Sequence, residues 1–142
     1  MTKLPPQPYA AAVTFSFGDS PEMADELLAL VLEGRKTATC GRASDFGPGK
    51  AELPMVGRRD VILDGQGRPA AVIETEEVTF RRFDEMDEDF ARDEGEGFGT
   101  LAEWREGHRD YFERNGGYAP DMTLVCERFR LVEKFAIDDT EN

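Results

Sequence analysis

The chain has 142 residues and a net charge of −13, with 39% hydrophobic residues, 33% charged residues and ten phenylalanines. That length supports one domain with its own core, and the aromatic content excludes a disordered chain. The acidity opposes a grip on long DNA or RNA along the phosphate backbone, because bulk charge repulsion works against it. Two cysteines, Cys40 and Cys126, form no zinc-ligand spacing, and no apolar run approaches the ~20 residues that cross a bilayer. The chain therefore reads as a soluble cytoplasmic protein, and the expectation is no disulfide framework, no membrane contact, no metal and no cofactor.

Residues 1–12, with Pro5, Pro6 and Pro8, are expected to form a flexible arm, and the acidic residues 136–142 a tail around a 13–135 domain. A short strand is expected around Val13–Phe17. The first helix is predicted over 21–33. Ser20 suits the N-cap, Pro21 the first helical position and Glu22 the dipole, while Ala24, Leu27, Leu28, Val31 and Leu32 make one apolar stripe. Gly34 ends it as a left-handed C-cap would. The glycine- and proline-punctuated stretch from Arg35 to Arg59 reads as loop. Val61–Asp64 and Ala70–Phe80 read as a hairpin around DGQGRP, followed by an acidic short helix or turns. Thr100 and Glu103 have capping-box spacing and open a further helix carrying Leu101, Trp104, His108 and Tyr111 or Phe112 on one face. Thr123–Phe135 reads as a long closing strand. Helices and strands that do not alternate predict an α+β fold, a small β-barrel with two or three flanking α-helices.

The charge is polarised. Arg35, Lys36, Arg42, Lys50, Arg58 and Arg59 crowd one loop region against only Asp45 and Glu52, whereas residues 74–96 are dominated by acids. The basic region is either a solvated face with ion pairs or a positive pocket for a phosphate, an oxyanion or a polar base. Within it, Gly34–Thr39 places a lysine beside threonines at a glycine break. Arg35 and Lys36 can simply face the helix dipole; a partly desolvated Lys36 can also take a hydroxyl proton. Glu94 and Glu96, set among glycines, are the carboxylates able to orient such a lysine. His108 reads first as a core or rim residue, Trp104 as core before stacking platform, and Cys126 as a buried small hydrophobe. Cys40 has only His108 as a base partner.

The blocks FGDSPEMADELLALVLEGRKTAT, LPMVGRRDVILDGQGRPAAVIETEEV, FDEMDEDFARDEGEGFGTLAEWREGHRDYF and VCERFRLVE, in that order, resemble the ASCH domain (activating signal cointegrator homology) over roughly residues 13–133. The resemblance implies a PUA-like β-barrel, a fold associated with RNA binding and RNA modification. One bacterial ASCH group hydrolyses the acetyl amide of N4-acetylcytidine with a Lys, a Thr and a Glu. Its Gly-x-Lys-Thr-x-Thr motif is similar to Gly34–Thr39, which implies Lys36 as base and Thr39 as nucleophile. An Ala-x-x-Glu stretch is similar to Ala91–Glu94, which implies Glu94 as the partner of Lys36, with Glu96 as the fallback. Arg35, Thr37, Arg42, Glu96, Trp104 and His108 are the candidate substrate-binding residues around them. Partners implied are a small nucleoside or a short RNA, and oligomeric state is left open. Two other readings stand beside amide hydrolysis. One is an RNA-binding module or ribonuclease using the 35–59 region; the other is a noncatalytic partner-binding domain.

Overall fold

The computed structural model describes residues 5–135; the four residues before them and the predicted tail 136–142 lie outside that range. In chain order the elements are β1 (Thr14–Phe15), α1 (Pro21–Leu32), β2 (Ala38–Arg42), β3 (Arg59–Leu63), β4 (Pro69–Arg82), α2 (Glu88–Asp93), α3 (Leu101–Arg114) and β5 (Thr123–Lys134). The five strands form one mixed sheet in the order β1-β3-β4-β5-β2, with β1 parallel to β3 and every other pair antiparallel. This is the expected α+β class, but the sheet stays open where a small barrel was expected, because β1 and β2 are its two edges and do not pair with each other. Residues 5–12 make turns, and Tyr9 and Ala12 pack against Val61, Leu63 and Val72.

α1 forms as its caps dictate. The Ser20 hydroxyl accepts from the Met23 amide at 3.1 Å, Pro21 opens the helix, and Ala24, Leu28 and Val31 are the buried stripe. At the far end Gly34, at φ +79°, lets the Gly34 amide bond the Val31 carbonyl and the Arg35 amide bond the Leu30 carbonyl. These paired bonds are a Schellman motif, which reverses the chain sharply. The reversal turns Arg35 outward and carries Lys36 into the interior, directly before β2.

The one missed element is β2, which lies in the stretch read as loop. Its residues, Ala38-Thr-Cys-Gly-Arg42, carry neither alternation nor a β-branched run. They become a strand because β5 presents a free edge, pairing Ala38 with Arg128 through to Arg42 with Leu124. β1 is shorter than expected, at two residues.

Two apolar clusters flank the sheet. Phe17, Leu28, Val31, Ile62, Ile73 and Phe129 hold α1 on one side. Phe83, Phe90, Trp104, Phe112, Leu124 and Cys126 hold α2 and α3 near β2 and β5. α3 begins as predicted: Thr100 caps the Glu103 amide at 3.1 Å, while the Glu103 carboxylate accepts from the Gly99 amide, one residue before the cap.

Candidate active site

Lys36 is 1% exposed. Its Nζ donates to the Ala38 carbonyl at 2.9 Å, the Glu94 carbonyl at 3.4 Å and the Glu96 carboxylate at 2.6 Å. Three acceptors match the three N–H bonds of an ammonium, so the charge is held by contacts that recover its desolvation cost. The Phe17 ring lies beneath it, 5.4 Å from Nζ to centroid.

Loop 94–96 reaches Lys36 because position 95 has no side chain. Gly95 sits at φ +65°, and a Cβ there would stand 2.1 Å from the Arg35 carbonyl oxygen. Its neighbours are clamped from the same side, since the Thr37 amide and hydroxyl both donate to the Asp93 carbonyl, at 2.8 and 3.2 Å. Gly95, one of the glycines around Glu94 and Glu96, is thus what lets the acidic loop close on the lysine.

Glu94 is also 1% exposed. Its Oε1 accepts from Trp104 Nε1 at 2.7 Å. Its Oε2 lies 3.5 Å from His108 Nε2 and 3.9 Å from Lys36 Nζ. Burial pushes this carboxyl up, but the His108 hydrogen bond, the Lys36 charge and the Trp104 donor outweigh it and hold the group below the usual range. His108 stacks on Trp104 with centroids 4.1 Å apart, and its Nδ1 lies 3.0 Å from the Trp104 carbonyl. That carbonyl fixes a proton on Nδ1, so Nε2 is the atom that faces Glu94 and, at 3.8 Å, Glu96. Burial lowers the imidazole; the two carboxylates and the backbone contact overcome this and raise it above 6.5. Two carboxylates, the lysine and the imidazole thus form one cluster, with Glu94 and Lys36 buried and Glu96 at its edge on the cleft.

A testable pH dependence follows. Because the folded His108 is raised above its unfolded value near 6.5, its contribution to stability is complete below that value and is lost as pH climbs through the folded pKa. Glu94 is lowered below 4.5, so its contribution is present above that value and disappears as pH falls. Urea unfolding across pH should show the alkaline loss in the wild type and a flattened limb in His108→Gln.

A cleft of about 120 Å³ opens over the cluster, lined by Lys36, Thr39, Cys40, Glu94, Glu96 and His108 with Phe17, Met23, Leu27, Phe98 and Tyr111 as apolar walls. The structure therefore brings Lys36, Thr39, Glu94, Glu96 and His108 together. It changes the roles of the two acids: the carboxylate hydrogen-bonded to Lys36 is Glu96, and Glu94 anchors Trp104 and His108. Four candidate contact residues lie elsewhere. Arg35 is turned to solvent beside Glu33, and Thr37 is spent on the Asp93 carbonyl. Arg42 is fixed by Asp45 and the Asn115 and Gly117 carbonyls. Trp104 is fully buried behind Glu94, so it positions the carboxylate, and the ring it stacks on is that of His108, not a ligand's. Sequence reasoning missed Tyr111, Phe98 and Met23 as walls; Tyr111 carried an apolar-face signal that a core explains equally well, whereas Phe98 lies between α2 and α3 with no face to mark it.

Cys40 sits 3.8 Å from both Glu94 oxygens, and burial together with the Glu94 charge pushes its thiol well above the ordinary value. It is no ready nucleophile. Among the described residues, Cys40, Glu94 and His108 are the set whose donor atoms gather closely enough, within 4.8 Å, to hold a metal ion. Lys36 already supplies a cation to the same carboxylate.

The ASCH domain model matches residues 13–133. The chain belongs to the ASCH-domain family. Among solved structures, protein EF3133 from Enterococcus faecalis V583 is similar at 38% identity and TM-score 0.78, over 88% of this chain and 78% of that one. An ASCH domain from Lactobacillus crispatus JV V101 is similar at 31% identity and TM-score 0.77, over 87% and 80%. An ASCH protein from Zymomonas mobilis, at 16% identity and TM-score 0.52 over 87% and 70%, shares the fold. No match was found among curated proteins. The family assignment agrees with the PUA-like α+β architecture, and among the described residues no helix is long and apolar enough to cross a membrane.

Proposed function

We propose that this ASCH-domain protein is an amidohydrolase that cleaves a short acyl group from the exocyclic nitrogen of a nucleoside such as N4-acetylcytidine. The observation that carries this reading is the bond of 2.6 Å from the buried Lys36 to Glu96, opening on a cleft that also holds Thr39. A lysine–carboxylate pair at that distance can exchange a proton without charge separation over solvent.

In the proposed reaction Lys36 gives one proton to Glu96 and becomes an amine. Lys36 then takes the Thr39 hydroxyl proton as the oxygen attacks the acyl carbon. Collapse of the tetrahedral adduct breaks the C–N bond, and the protonated Glu96 gives its proton to the departing amine. Glu96 next takes a proton from water, whose hydroxide attacks the acyl-threonine ester. Thr39 leaves with a proton from Lys36, and Glu96 returns its proton to Lys36. Across both steps His108, when protonated, offers its Nε2–H, 3.8 Å from Glu96, to negative charge in the cleft.

The acidity of the chain suits a nucleoside, which brings no phosphate to be repelled. The basic residues that suggested an RNA interface are largely committed: Arg42 to Asp45, Arg58 to Asp60, Arg59 to Glu74 and Lys36 to Glu96. Polymer binding is the weaker reading for that reason. Incubation with N4-acetylcytidine, followed by chromatography, should yield cytidine and acetate, and Glu96→Gln should abolish the yield. Intact substrate after prolonged incubation with folded protein would refute the reading.

A further inference from the structure

The sheet is not closed. Its edge strands β1 and β2 both line a second cavity, of about 340 Å³, which β3 and β5 complete from behind. This cavity and the catalytic cleft share Phe17, Gly18, Thr39, Cys40 and Tyr111 as a common wall. Thr39 therefore stands between a small chamber and one nearly three times larger.

The larger chamber has a polar floor that the proposed chemistry leaves unused. Asp60, 1% exposed, is gripped by Arg58 through two hydrogen bonds of 2.7 and 2.9 Å, so both charges are matched. Glu127, 6% exposed, lines the chamber beside them and accepts from the Thr75 hydroxyl at 2.6 Å. Burial, with the Asp60 charge adding to it, pushes the Glu127 carboxyl up against the pull of the Thr75 bond and of Arg58. The Thr75 bond engages Oε2, and a carboxyl group offers two oxygens to donors. Phe15, Phe46 and Val125 supply flat apolar walls around it.

We infer that the cavity between the sheet edges is a nucleobase-sized subsite, in which Glu127 reads the edge of a planar, uncharged heterocycle that presents a hydrogen-bond donor. For the order of the two halves the inference rests on the amidohydrolase reading: the acyl group enters the small chamber over Lys36, the amine half fills the larger one, and the bond between them crosses Thr39. The subsite itself rests on the cavity. Aromatic walls with one convergent carboxyl are what a neutral base needs, whereas a phosphate would meet Glu127 and the Glu52 of the rim.

The test is titration of ¹⁵N-labelled protein with cytidine, the product half alone. Shifts should concentrate at the amides of residues 58–60 and 125–127. Glu127→Gln, which keeps the shape but changes the donor pattern, should weaken binding about tenfold, as expected for one buried hydrogen bond. Gly41 lines the large chamber and not the small one, and its backbone tolerates a side chain; a Cβ there meets only the Phe46 ring, at 3.4 Å. Gly41→Val should therefore obstruct the base and weaken binding at least as much, with thermal melting confirming the fold. Shifts confined to residues 94–98, or undiminished affinity in both variants, would overturn the inference. Wild-type protein that binds cytidine in this chamber yet leaves N4-acetylcytidine intact would sustain the subsite and remove the amidohydrolase reading instead.

Discussion

Replacing Lys36 by Met is expected to lower kcat/KM on an N4-acylated nucleoside by about 10³-fold, within the range typical of losing a positioned acid–base group. Methionine preserves most of the aliphatic stem over Phe17 and removes the charge and all three donors. The second consequence is on stability. Glu96 loses its 2.6 Å partner, and the buried Glu94 loses the ammonium 3.9 Å from its Oε2. Breaking a buried pair by removing one member costs about 3–5 kcal/mol. Urea unfolding should register that cost, and it should shrink when Glu96→Gln is added, because the stranded charge is then gone. A variant as stable as wild type would mean that the Lys36–Glu96 contact is open to water.

Trp104→Phe is expected to act on the site without touching the cleft. The indole donates its N–H to Glu94 Oε1 at 2.7 Å and carries His108 stacked at 4.1 Å. Phenylalanine keeps most of the packing against Phe83, whose ring centroid is 5.3 Å away. What disappears is a hydrogen bond to a buried carboxylate, and the cost is about 1.5–3 kcal/mol. Since Trp104 is one of the groups that hold Glu94 low, its loss shifts the Glu94 titration upward, and the acid limb of the stability profile should move to higher pH. Trp104→Ala adds a cavity and should cost about 3–5 kcal/mol. A Phe variant with an unmoved acid limb would show that Trp104 serves only to fill space.

What could be read from the sequence depended on the range over which each signal acts. α1, the β3–β4 hairpin, α3 and β5 were legible because Ser20, Gly34, the Asp64–Gly65 turn and Thr100 act within a few residues. β2 was not, since Ala38–Arg42 is a strand only by virtue of an edge that β5, more than 80 positions along the chain, supplies. The site divided in the same way. Lys36, Thr39, Glu94, Glu96 and His108 could be picked out by residue type and by resemblance. The division of labour between Glu94 and Glu96 could not, because it follows from Gly95 passing beneath the Arg35 carbonyl. Arg35 and Arg42 looked like binding residues from their charge. The Schellman turn that carries Lys36 inward turns Arg35 outward, and Asp45 three residues on claims Arg42. Local charge in a sequence says nothing of such partners until the chain is folded.

The central claim is that acyl transfer passes through Thr39 in the cleft over Lys36 and Glu96. The most direct test quenches the protein during turnover of N4-acetylcytidine and examines it by intact-protein and peptide mass spectrometry. An acetyl group on the peptide containing Thr39, absent from Thr39→Ala and accumulating when deacylation is slowed, is the predicted result. Cytidine release by Thr39→Ala at the wild-type rate, with no acetylated peptide in either protein, would contradict it.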